Sequence, residues 1–259
     1  MRRFLSWQLP LIAGLLAAAV FAWGFVLGAR GGVGAVVLEI PELKPAEESA
    51  EDRLSILILG DSLARGSGDP SGLGIGGSIE EELKRREITH EPVINIGVDG
   101  ATAEELLDQI ESPSVRLLIQ KADLVVVSIG GNDLWRDDGP GGILVAPDNP
   151  DELLATVLEK VKDSVAAIRT VSPSGRIFWV GLYNPFAGEP EGKALNPLVN
   201  RWNANLRLAF ESDMNFTVVQ TEDLFTHADR LSADRFHPGE DAYRAIGRRI
   251  ADAVGDGNE

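Results

Sequence analysis

Apolar residues in this chain follow two rhythms that alternate from residue 53 to residue 254. Ile56–Leu59, Val93–Ile96, Leu124–Ile129, Ile177–Leu182 and Phe216–Val219 are short and mostly apolar. Such runs read as strands of a parallel sheet covered on both faces. Between them lie longer stretches with apolar residues three and four apart, the stripe of a helix packed on one side. Ser78 with Glu81 and Thr102 with Glu105 have the spacing of capping boxes. They predict one helix running to about Arg86 and another carrying Leu106, Leu107 and Ile110. Asn149-Pro150 and Asn196-Pro197 open two more, with proline at the first helical position. Leu154, Val157, Leu158, Val161, Val165 and Ile168 form the inward stripe of the first of these. The last helix turns Ala242, Ala245, Ile246 and Ile250 inward. Strands alternating with helices predict an α/β fold, a three-layer α/β/α sandwich around a central parallel five-stranded sheet.

The amino terminus has neither rhythm. Met1-Arg2-Arg3 precedes an uncharged apolar run from Phe4 to Ala29, long enough to span a bilayer. It reads as an uncleaved signal anchor or transmembrane helix over residues 1–30, or as a cleaved signal peptide, whose apolar core is shorter. Arg2 and Arg3 place the remainder outside the cytoplasm. Residues 31–52, with Pro41, Pro45 and the acidic run Glu47–Asp52, read as a linker that cannot bury enough surface to fold alone. The domain proper is expected over 53–259.

Composition narrows the functions. A formal net charge of −16 repels phosphate backbones, so nucleic acid is not an expected partner. The chain contains no cysteine, which removes disulfides, thiolate catalysis and cysteine-ligated metals. Its three histidines, His90, His227 and His237, are the only candidates for an imidazole base. Gly72-Leu73-Gly74-Ile75-Gly76-Gly77 fits the G-x-G-x-x-G pattern. It lies about a dozen residues past its strand, where a dinucleotide loop should follow directly, and reads as a mobile loop.

Chemistry collects at the strand exits, where open α/β sheets place their ligands. The first strand runs into Gly60-Asp61-Ser62. A serine hydroxyl needs a base within reach, an acceptor that orients the base, and donors for the oxyanion. His237 is the candidate base, and Asp234, three residues earlier, the acceptor. His227, near Asp229, is the poorer alternative, and His90 reads as a surface residue. The Ser62 amide, the Gly97 amide and the Asn132 side chain are candidate oxyanion donors. Asp61 and Asp133 read as structural acceptors. The loops 134–148 and 183–195, with Leu134, Trp135, Ile143, Leu144, Val145 and Phe186, are the expected pocket walls.

Gly60-Asp61-Ser62-Leu63, Gly97, Gly130-x-Asn132-Asp133 and Asp234-x-x-His237 together resemble the four signature blocks of the SGNH/GDSL hydrolase superfamily, in order. Within it the chain looks similar to bacterial membrane-anchored GDSL-type lipases and acylhydrolases. The resemblance implies a flavodoxin-like sandwich and a serine esterase or lipase without metal or cofactor. It assigns Ser62 as nucleophile, His237 as base and Asp234 as its orienter, with Ser62, Gly97 and Asn132 around the oxyanion. The expected substrate is a lipid or small ester outside the cytoplasm, and the expected state a monomer. An acyltransferase or deacetylase on cell-wall sugars, a tethered binding domain and a flavodoxin-type nucleotide binder are the alternatives.

Overall fold

The computed structural model describes residues 53–134, 149–189, 192–226 and 228–255. The expected membrane span and linker, and His227, lie outside them. Among the described residues no helix is long and apolar enough to cross a membrane.

Five strands form one parallel sheet in the order β2-β1-β3-β4-β5. They are β1 (Ile56–Gly60), β2 (Ile94–Asn95), β3 (Leu124–Ser128), β4 (Arg176–Val180) and β5 (Phe216–Val219). This is the doubly wound order of flavodoxin-like sheets. The eight helices described are α1 (Ser62–Arg65), α2 (Gly74–Arg85), α3 (Ala103–Glu111), α4 (Pro113–Lys121), α5 (Gly131–Leu134), α6 (Pro150–Val171), α7 (Asn196–Ala209) and α8 (Glu240–Gly255).

Successive strand residues point to opposite faces, and the two faces feed two cores. Leu57, Leu59, Val125, Val127, Ile177 and Trp179 pack against α3, α4, α6 and α7. Ile56, Ile58, Leu124, Val126, Phe178 and Val180 pack against α1, α2 and α8. Every residue of β1 and β3 is buried. Fully burying one such aliphatic side chain is worth about 1.5–3 kcal/mol, so these central strands fix the frame on which the site stands.

Three details depart from the sequence reading. The second strand shrinks to two residues at the sheet edge, with Ile94 46% exposed. The stretch after Thr102 holds two helices, because Pro113 opens α4 after Ser112 ends α3. The glycine-rich stretch is partly helical: α2 starts at Gly74, whose N–H donates to Asp69 Oδ2 at 2.7 Å. Ser78 is therefore not a cap but a buried residue inside α2. It faces α8 at Gly247, where a Cβ would come within 2.6 Å of the Ser78 Cβ. The Thr102–Glu105 capping box and the Asn149 cap form as expected.

Candidate active site

β1 ends in a contact only glycine allows. Gly60 lies beside Ser128 of β3 with φ +123°, and a Cβ there would sit 1.8 Å from the Ser128 carbonyl oxygen. The strand can thus turn sharply at full sheet spacing. Asp61 comes next, buried, with its N–H on the Ser128 carbonyl at 2.9 Å. Its carboxylate caps α1, accepting from the Leu63 N–H at 3.0 Å and the Ala64 N–H at 3.4 Å. It also accepts from Ser128 Oγ at 3.0 Å. Burial pushes its pKa up to about 6 against the opposing pull of these hydrogen bonds. The cap serves the second and third amides of α1. The first, on Ser62, has no acceptor among the described residues.

The candidate base comes from the opposite end of the chain. Residues 231–238 close on themselves, with Leu231 bridging Pro238 and the Ser232 N–H donating to the His237 carbonyl at 2.8 Å. Asp234 Oδ1 accepts from the N–H groups of Phe236 and His237, both at 2.9 Å, and from Ser232 Oγ at 2.6 Å. Arg235 adopts the left-handed conformation (φ 59°) that brings both amides onto one oxygen. Partial burial raises the Asp234 pKa. The hydrogen bonds from Ser232, His237 and the two amides outweigh it and hold the carboxyl well below the usual range.

The structure brings the three expected residues into one line. His237 Nε2 is 2.9 Å from Ser62 Oγ, and His237 Nδ1 is 2.7 Å from Asp234 Oδ2. A carboxylate can only accept, which places the ring proton on Nδ1 and leaves Nε2 as acceptor toward Ser62. Ser62, Asn132, Leu182, Tyr183, Pro185, Phe236 and His237 surround a pit of about 40 Å³. A larger open groove, about 630 Å³, lies between α2 and residues 87–92 and includes none of these residues.

The expected oxyanion donors are placed unequally. Asn132 lines the pit, and its Nδ2 donates to the Ala101 carbonyl at 2.8 Å. Asp133 accepts from the Ala103 N–H at 2.9 Å, so the two residues grip the start of α3 from both sides. Gly97 does not line the pit. Its N–H donates to Asn95 Oδ1 at 3.0 Å, and a Cβ at Gly97 would come within 2.8 Å of the Arg65 nitrogen. The close approach expected of this glycine is therefore made to α1. His90 is half-buried; its ring Nδ1 bonds the Glu91 carbonyl at 2.7 Å and its own carbonyl accepts from Arg53 Nη2 at 2.9 Å. Of the expected pocket walls, Phe186 meets Phe236 at a 6.1 Å ring separation, Leu134 is buried, and 135–148 lie outside the described residues. No group of three or more metal-ligating side chains gathers among the described residues.

Residues 58–245 match the GDSL-like Lipase/Acylhydrolase family, most of the chain and every block of the site. The chain belongs to the GDSL-like lipase/acylhydrolase family. It is 28% identical over 217 residues to the protein YpmR of Bacillus subtilis (strain 168), covering 82% of this chain and 85% of that one. It is 26% identical over 215 residues to the spore germination lipase LipC of Bacillus licheniformis, covering 76% and 94%. In fold it matches the lipase Lip_vut3 from a goat rumen metagenome, with a TM-score of 0.65, 21% identity and coverage of 77% and 97%. It also matches the acetylxylan esterase Axe2 of Geobacillus stearothermophilus, with a TM-score of 0.57, 21% identity and coverage of 79% and 96%. Family membership supports an acyl-ester hydrolase, and the likeness to the solved structures shows the fold. Within this GDSL-like site, sequence reasoning placed Tyr183 only at the head of an expected pocket wall, with no role of its own, and missed Phe236. Their one signal was position, at a strand exit and inside the Asp-x-x-His block.

Proposed function

We propose that this chain is a serine ester hydrolase that works through an acyl-enzyme. The observation that carries the reading is the unbroken hydrogen-bonded chain Ser62–His237–Asp234. In the reaction, His237 Nε2 takes the Ser62 proton as Oγ bonds to the ester carbonyl carbon. The carbonyl π pair moves onto oxygen, facing the Ser62 N–H and an N–H of Asn132. Collapse of the intermediate breaks the bond to the alkoxide, which leaves with the proton from His237. Water then repeats the sequence and releases the acid and Ser62. Asp234 holds the imidazole tautomer and stabilises the imidazolium. The Gly97 N–H joins the oxyanion only by sharing itself with Asn95 Oδ1, so Ser62 and Asn132 are the main donors.

The substrate is a lipid or small ester. The pit beside Ser62, about 40 Å³ and flanked by Leu182, Pro185 and Phe236, suits a small acyl group or the first atoms of a longer one. The lipase and acetylxylan esterase among the similar proteins bracket the same range. The apolar segment 4–29 supports a location outside the cytoplasm, tethered to the membrane or released from it.

Fluorophosphonate labelling of the full chain, with peptide mass spectrometry, tests this. We expect an adduct on Ser62 that disappears in His237→Ala, and a kcat lowered about 10³-fold or more in Ser62→Ala. A folded protein that takes no adduct would overturn the reading. Product analysis with an added alcohol should yield mainly free acid; a preponderance of new ester would make the chain an acyltransferase.

A further inference from the structure

Ser62 and His237 are 175 positions apart, on segments that share no element, so packing and hydrogen bonds rather than chain continuity set their 2.9 Å contact; Gly68 packs close on the loop, where a Cβ would come within 2.5 Å of the His237 Cβ. The base loop's own hydrogen bonds do not set it. The bonds among Ser232, Asp234, Phe236 and His237 all run within six residues. They fix the imidazole against its carboxylate, and they would survive a rigid shift of the whole loop away from Ser62.

Apart from Ser62, two described side chains outside residues 232–237 hydrogen-bond to that loop. Glu189 pairs with Arg235, and both are more than half exposed. Such pairs are worth little. The other is Tyr183, whose buried hydroxyl donates to the Phe236 carbonyl at 2.7 Å, one residue before the base.

We propose that Tyr183 is the positioning residue for the hydrolysis described above: its hydroxyl, fixed on the Phe236 carbonyl, sets the distance from His237 Nε2 to Ser62 Oγ. The inference rests on that reading of the site. Tyr183 is itself held firmly. Its ring stacks on Phe225 with centroids 3.8 Å apart and planes 21° apart. The residue before it, Leu182, has both backbone groups bonded to the Asn203 side chain of α7, N–H at 2.9 Å and carbonyl at 2.8 Å. The path from α7 through Asn203, Leu182 and Tyr183 to the Phe236 carbonyl ties the base loop to the sheet that carries Ser62. Burial drives the phenol pKa well above its ordinary value, so the hydroxyl stays a donor.

Tyr183→Phe deletes the hydroxyl and keeps the ring. A hydrogen bond at 2.9 Å is lost with a shift of well under 1 Å, and misplacement of about 1 Å can cost about 10²-fold in rate. With p-nitrophenyl acetate we expect kcat to fall about 10- to 100-fold, with KM within about threefold. The fluorophosphonate labelling rate should fall with kcat. The pH–rate midpoint should stay in place, because the Asp234–His237 pair remains whole. A kcat and labelling rate within about twofold of the parent, whatever the Tm, would reduce Tyr183 to a packing residue and overturn the proposal. If that variant does not fold, Phe225→Leu decides: it removes the stack and leaves the hydroxyl. A lower kcat at constant KM supports the proposal, and an unchanged kcat overturns it. A parent chain that neither labels at Ser62 nor hydrolyses esters defeats the hydrolase reading itself. A parent that labels beside an equally fast Tyr183→Phe defeats the positioning role alone.

Discussion

The proposed nucleophile and the proposed base are held in opposite ways. Ser62 follows β1, an interior strand whose five residues are all buried. Its turn is built from buried groups: Gly60 against the Ser128 carbonyl, and Asp61 under α1. His237 sits in a loop whose hydrogen bonds are nearly all internal, on a carboxylate whose side chain is 46% exposed. The first arrangement makes the nucleophile's geometry inseparable from folding. The second confines the base to a unit that can fail while the domain stands.

Substitutions on the two sides sharpen that contrast. Gly60→Ala has the largest expected effect. The new methyl would overlap the Ser128 oxygen, so the variant should lose more than about 4 kcal/mol and yield little folded protein on expression. Gly100→Ala is its control: also at positive φ (+79°) but with nothing within 4 Å, it should lose only about 1 kcal/mol. On the base side, Asp234→Asn should lower kcat by about 10²- to 10⁴-fold with little change in Tm, since the amide offers a donor where Nδ1 needs an acceptor. A large fall in Tm would show that the loop is not the separate unit described.

A pH-dependent effect concerns the buried carboxyl behind Ser62. The Asp61 carboxyl is raised from 3.8 to about 6 in the folded chain. Between these values the folded chain binds a proton that the unfolded chain has released. The stability this contributes is full below about pH 4 and is lost as pH rises through about 6. Two units correspond to about 3 kcal/mol at most. Asp61→Asn keeps an oxygen for the Leu63 and Ala64 amides and removes the titration. Its urea midpoint should lack the decline that the parent shows between about pH 4 and about pH 6. Parallel curves would mean that the carboxyl does not titrate there.

The nucleophile side was easier to read from sequence than its surroundings, for physical reasons. β1 and β3 each hold four consecutive branched aliphatics because both faces are covered, and the Gly60 and Ser128 that close them mark runs too short for a helix. At the sheet edge Ile94 is half exposed, and an apolar run overstates the strand. The start of α2 was obscured because Gly74, Gly76 and Gly77 are poor helix formers. At Gly74 and Gly77 a side chain would strike Gly66 or Leu73, a tertiary demand that propensity cannot express. The base was legible because Asp234 and His237 are neighbours in sequence. Tyr183 was not, since its partner lies 53 residues away and is a backbone carbonyl. The Gly97 amide was assigned from the need for close approach. The approach is real, but it is made to the backbone of α1.

The separation of 175 residues between Ser62 and His237 has a consequence for the growing chain. A ribosome that has made the first 230 residues has already made all five strands and the serine, and no base. The residues that follow supply Asp234 and His237, then α8, whose Gly247 seats against Ser78 and whose Tyr243 hydroxyl bonds the Ser67 carbonyl at 2.7 Å. On the proposed mechanism, completion of the domain and arming of the nucleophile are therefore one late event, and a polypeptide interrupted before it carries Ser62 without His237 beside it.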